Sequence, residues 1–135
     1  LLNGLEGYIG KNEYGLEKQM HIHSVWFFNA HQRRGNSHVY LAQCIGEYWC
    51  NTITHGAGTY WNCNDNRGDY RHNGIGLIEA RDADKRHNLL SYVVKYLCKK
   101  DSQEIKPRNQ PQAKTLFRGD LRNRNPNLGR PRNNS

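Results

Sequence analysis

The chain has 135 residues, enough for one domain with a single hydrophobic core and too few for two ordinary ones. Twenty Lys+Arg against twelve Asp+Glu give a net charge of +8 and a pI near 9.5, which favours an anionic partner such as nucleic acid. No apolar run approaches the roughly 18 residues that a membrane span needs, so a soluble protein without membrane contact is expected. Cys44, Cys50, Cys63 and Cys98 form no C-x-x-C pair, which points to reduced thiols and a cytoplasmic home. A zinc site from Cys44, Cys50, His55 and Cys63 is disfavoured, because the spacing matches no common ligand pattern. The chain begins at Leu1 with neither a basic nor a long apolar leader, so it reads as a fragment without a secretory signal.

Leu5 to Tyr14 reads as an imperfect strand, followed by a turn-like Gly15-Leu16-Glu17-Lys18. Met20 to Asn29 is a better strand. His21, His23, Val25 and Phe27 share one face, while Ile22, Ser24, Trp26 and Phe28 share the other, as in a central strand covered on both sides. A polar loop from His31 to Asn36 leads to Ser37, an N-cap candidate. The helix that follows carries Leu41, Cys44, Ile45, Tyr48 and Trp49 as a core stripe. Thr52 to Gly74 is rich in Gly, Asn and Asp, with a short strand at Thr59-Tyr60-Trp61-Asn62 and a turn at Asn64-Asp65-Asn66-Arg67-Gly68. Ile75 to Glu79 reads as another strand. Asp82 or Asp84 then caps a helix that runs to about Lys100. Residues 101–135 hold all four prolines and eight Lys/Arg against three acids, and read as a basic, extended segment outside a core formed by residues 1–100.

Two features carry chemistry. Alternate strand residues point the same way, so His21 and His23 project side by side and can share one divalent cation. A hairpin would bring Glu13 alongside, adding the hard oxygen that Mg²⁺ or Mn²⁺ prefers. An isolated His-x-His is also compatible with ordinary strand histidines. Two other histidine-based enzyme classes are absent: position 25 is Val25, which removes a third alternating histidine, and no His-x-Ser or His-x-Thr unit occurs. On the last helix, Asn88, Tyr92, Lys95, Tyr96 and Lys99 gather on one arc of roughly 100° at about 100° per residue. Leu89, Leu90, Val93, Val94 and Leu97 fill the adjoining arc. A tyrosine hydroxyl, with a reference pKa of about 10, attacks a phosphodiester only where positive charge favours the phenolate. Lys95, Lys99 and a metal would supply it.

His21-Ile22-His23 followed by the Tyr92/Tyr96 helix resembles the HUH endonucleases, the rolling-circle replication initiators and relaxases. Tyr92 to Lys99 looks like the two-tyrosine helix of the gene A initiators of small isometric phages. More of the chain, about residues 5 to 120, is similar to the inovirus replication-protein and prophage YagK/YfjJ C-terminal domain family. That likeness rests on Glu13-Tyr14-Gly15, His21-Ile22-His23, Ile45-Gly46-Glu47-Tyr48-Trp49, Gly56-Ala57-Gly58-Thr59, Tyr96-Leu97-Cys98-Lys99-Lys100-Asp101 and Phe117-Arg118-Gly119.

The resemblance implies an α+β HUH fold, ferredoxin/RRM-like, with an antiparallel sheet and flanking helices, although the family's upstream strand motif is not visible before Leu5. It implies a single-strand DNA endonuclease and strand transferase that works through a 5′-phosphotyrosine link. Tyr96 is then the first nucleophile and Tyr92 the second, beside Lys95 and Lys99, with Glu13, His21 and His23 holding Mn²⁺ or Mg²⁺. A replication origin in single-stranded DNA would be the substrate and a host helicase a partner, with the isolated domain monomeric in the cytoplasm of a bacterial or phage-infected cell. Arg33, Arg34, Tyr60, Trp61 and Arg118 are the candidates for holding phosphates and stacking bases. Two other readings remain open: a non-catalytic DNA-binding regulator that keeps the fold, and a metal phosphodiesterase acting on a small nucleotide.

Overall fold

A computed structural model describes residues 2–14, 20–33, 37–99 and 115–121. The architecture is α+β: a three-stranded antiparallel sheet flanked by helices. Strand β1 (Leu5–Tyr14) pairs with β2 (Met20–Phe28) in a register that sets Glu13 opposite His21 and Lys11 opposite His23. The expected turn at Gly15 to Lys18 lies outside the described residues. After a single 3-10 turn (Ala30–Gln32), helix α1 (Ser37–Tyr48) begins with Ser37 as its first helical residue, and a π-helical stretch (Trp49–Ile53) extends it. The second helical rod runs from α2 (Ala83–Asn88) through a π-helical stretch (Leu89–Val94) into α3 (Lys95–Cys98). Its start is as expected: the Asp82 carboxylate accepts from the Lys85 backbone N–H at 3.0 Å. Leu41 of α1 and Leu97 of α3 are the buried apolar side chains among the described residues. No described helix is long and apolar enough to cross a membrane.

The strand order is β2-β1-β3, so β1 is the central strand and β2 has one neighbour among the described residues. This corrects the expectation of a doubly covered β2: Ile22 and Phe27 remain substantially exposed on its two faces. Apolar residues on both faces record what a strand can bury, whether or not anything covers it. Tyr48, expected in the core stripe of α1, is likewise exposed.

The third strand, β3 (Leu116–Asp120), comes from the segment expected to lie outside the core, and it pairs with the free edge of β1 from Gly7↔Asp120 to Lys11↔Leu116. Phe117 drives this docking. Its ring stands 6.3 Å from that of Tyr8 and covers Gly10, where any Cβ would collide with it.

The short strands expected at Thr59–Asn62 and Ile75–Glu79 do not form. Asn62 instead anchors a turn: its Oδ1 accepts from the backbone N–H groups of Asn64 and Asp65, and its Nδ2 donates to the Val39 carbonyl. The expected turn follows, closing in a 3-10 turn at Arg67–Asp69. In the second segment Gly76 adopts φ +83°, which breaks an extended run, and the Leu77 carbonyl accepts from Lys85 Nζ at 2.6 Å.

Candidate metal centre

Directly opposed residues of an antiparallel pair project to the same face. The register therefore gathers Lys11 and Glu13 of β1 with His21 and His23 of β2 on one side of the sheet. Glu13 Oε2 stands 2.8 Å from His21 Nε2 and 3.2 Å from His23 Nε2. The three donor atoms lie within 4.8 Å of one another, and all three residues are half-buried. Donors at right angles around an ion, each about 2.1 Å from it, are about 3.0 Å apart, so the carboxylate-to-imidazole spacings match a shared cation. Two imidazoles and one carboxylate fit a divalent ion chemically. Among the described residues this is the one grouping able to hold a metal, and the four cysteines are free and outside it.

The electrostatics keep the carboxylate charged. Burial pushes the Glu13 carboxyl up, but His23, Lys11 and His21 together outweigh it and hold the group below its ordinary value. Lys11 contributes through an ion pair, Nζ to Glu13 Oε1 at 3.3 Å. This lysine is 4% exposed and was not singled out in the sequence, where a lysine in a polar strand reads as solvated.

The helical rod separates its two tyrosines. Tyr96 turns its ring edge-on to His23, with centroids 5.5 Å apart and planes at 86°. Tyr92 lies flat on His72 instead, with His87 edge-on at 6.2 Å. Both tyrosines are about half exposed, and Lys95 and Lys99 are exposed at the same end of the rod.

The residues expected to hold DNA are dispersed. Arg118 is opposite Ile9 in the β1–β3 register, which places it on the sheet face of the cluster, and it is exposed. Arg33 donates from Nε to the Asn3 carbonyl at 2.8 Å and lies 5.4 Å over the Phe28 ring, tying down the end of β2. Tyr60 packs its ring on Gly46 of α1. Trp61, 65% exposed, donates from Nε1 to the Tyr70 hydroxyl at 3.0 Å. Arg34 lies outside the described residues. The chain matches no protein-family model, and neither a curated protein nor a solved structure matches it.

Proposed function

We propose that this chain is the core of a rolling-circle replication initiator of the HUH type, a metal-dependent endonuclease that nicks and rejoins single-stranded DNA through Tyr96. The observation that carries the reading is the contact of Tyr96 with His23, which supplies one of the three clustered donors. A nucleophile beside a cation site is what attack on a phosphodiester requires. Mn²⁺ or Mg²⁺ held by Glu13, His21 and His23 would polarise the scissile phosphate.

The Tyr96 hydroxyl attacks phosphorus and gives up its proton. The bond from phosphorus to the 3′ oxygen breaks, and that oxygen takes a proton. The products are a 5′-phosphotyrosine link and a free 3′-OH, and attack by a 3′-OH on the link reverses the step. Lys95 and Lys99 place positive charge at the tyrosine end of the rod, and Arg118 places it on the sheet face. A replication origin is the proposed substrate, with a host helicase as partner in the cytoplasm of a bacterial or phage-infected cell.

The second reading is a DNA-binding regulator without catalysis. It is favoured by Glu13 Oε2 standing within hydrogen-bond distance of both imidazoles, so that the cluster can close on itself without an ion. Incubation with Mn²⁺ and a pool of single-stranded oligonucleotides, followed by a denaturing gel, decides between the two. The nuclease gives a protein band shifted by covalent DNA, which Tyr96→Phe abolishes. Absence of any adduct with origin-like sequences, together with normal DNA binding by a Glu13→Ala, His21→Ala, His23→Ala protein, would establish the regulator.

A further inference from the structure

We infer that Lys11 is a positioning residue: its buried ammonium holds the metal-binding carboxylate and the end of the tyrosine helix together, and so sets Tyr96 against His23. The functional consequence rests on the nuclease reading above, while the positioning itself is a property of the folded chain.

Lys11 occupies the interior of the central strand, between His23 on one side and Leu116 on the other. Such a position ordinarily takes a β-branched or aromatic residue, and burying an ammonium is unfavourable unless acceptors meet it. Among the described residues, two acceptors from different parts of the fold meet it. Glu13 Oε1 is 3.3 Å from Nζ, and the backbone carbonyl of Lys99, 88 residues away in sequence, accepts from Nζ at 3.0 Å.

Lys99 is where the rod ends. Its backbone turns extended, with φ −64° and ψ 124°, and its N–H bonds back to the Tyr96 carbonyl at 3.3 Å. The carbonyl that Lys11 grips thus belongs to the closing turn that carries Tyr96. At the other acceptor, engagement of Oε1 leaves Oε2 facing both imidazoles, so the carboxylate offers the cluster one oxygen. One side chain therefore sets both the aim of the carboxylate and the approach of the nucleophile.

The test compares the full chain with its Lys11→Met and Lys11→Arg variants. In metal-free protein, the nuclear Overhauser effect between the His23 and Tyr96 rings reports their approach, and the Tyr8–Trp26 ring contact, at 5.5 Å, reports an intact sheet. In Lys11→Met the Tyr8–Trp26 signal is expected to remain and the His23–Tyr96 signal to fall several-fold. Added Mn²⁺ should then broaden the Tyr96 resonances less than in the parent, with Tyr92 as the internal reference. Adduct formation should slow at least tenfold while oligonucleotide affinity stays within twofold, and Lys11→Arg, which restores the cation, should recover part of the rate.

A folded Lys11→Met protein with the parental His23–Tyr96 signal overturns the inference. Should Lys11→Met fail to fold, Lys11→Gln, which keeps N–H donors but loses the charge and reach of the ammonium, is expected to fold with an intermediate signal, and a parental signal there overturns the inference equally. If the parent chain forms no DNA adduct, the nuclease reading fails, and the ring signals still decide whether Lys11 positions Tyr96.

Discussion

Tyr92 lies flat against His72, with ring centroids 3.8 Å apart and planes 4° from parallel, whereas Tyr96, one turn further along the rod, meets His23 edge-on. Two tyrosines that look equivalent on a helical wheel therefore serve different neighbours. The stack needs the Tyr92 ring and not its hydroxyl, so Tyr92→Phe should leave both the melting temperature and the DNA adduct at parental levels. Tyr92→Ala should lose about 1 kcal/mol of stability, the usual worth of an aromatic pair, as read by urea denaturation. Adduct formation that persists in Tyr96→Phe and disappears in Tyr92→Phe would reverse the assignment of nucleophile.

The histidine strand, the hairpin partner Glu13 and the Asp82-capped helix were legible because each rests on local pattern: period-2 alternation, a short connection, and a cap three residues before the N–H it receives. What the sequence concealed depends on distant parts of the chain. Lys11 is buried where the sheet meets the end of the tyrosine rod, whose Lys99 carbonyl accepts from its Nζ. Strand β3 is five residues long with one large aromatic, and its basic, proline-rich surroundings mask it in any composition average. The strands expected at Thr59 and Ile75 had suitable residues but no partner strand among the described residues, and side chains met backbone carbonyls in them instead, Asn66 Nδ2 that of Asn62 and Lys85 Nζ that of Leu77. The separation of Tyr92 from Tyr96 was equally hidden, because it depends on where His72 and His23 are in the fold.

The donor set predicts a metal preference. Imidazole nitrogens suit transition ions better than Mg²⁺, which prefers oxygen ligands and retains its water. Mn²⁺ at about 100 times its dissociation constant should stabilise the fold by about 2.7 kcal/mol, or roughly 10 °C in melting temperature for a chain of this length. Mg²⁺ at the same concentration should give a smaller shift. His21→Ala and His23→Ala should each remove most of the Mn²⁺ effect in thermal melts. An undiminished shift in both variants would place the ion elsewhere.

His38 predicts a dependence on pH away from the cluster. Burial lowers its pKa from the usual 6.5, and the neighbouring Arg67 guanidinium, with Nη1 at 3.5 Å from Nε2, lowers it further. The unfolded chain therefore takes up this proton more readily than the folded one, and folding is favoured by deprotonation. The stability that His38 contributes is fully present above about pH 6.5 and is lost as pH falls toward its depressed folded value. Melting temperatures at pH 7.5 and 5.5 should differ more in the parent than in His38→Gln. Equal losses in the two proteins would exclude His38 as the cause.

The docking of β3 can be tested through Gly10 and Phe117. A Cβ at position 10 would meet the Phe117 ring, so Gly10→Ala forces the ring off its seat and should cost about 1 to 3 kcal/mol, the range for overpacking. Phe117→Ala removes the aromatic anchor and should cost about 2 kcal/mol, less than a fully buried phenylalanine because this one is half-buried. In the double variant the new methyl occupies space that the ring has left. The two costs should then fall short of additivity by about 1 kcal/mol or more in urea denaturation, the signature of residues in contact. Because Phe117 is over 100 residues from Gly10 in the chain, additive losses would mean that β3 does not sit on β1, and Arg118 would then lose its place on the face that carries Glu13, His21 and His23.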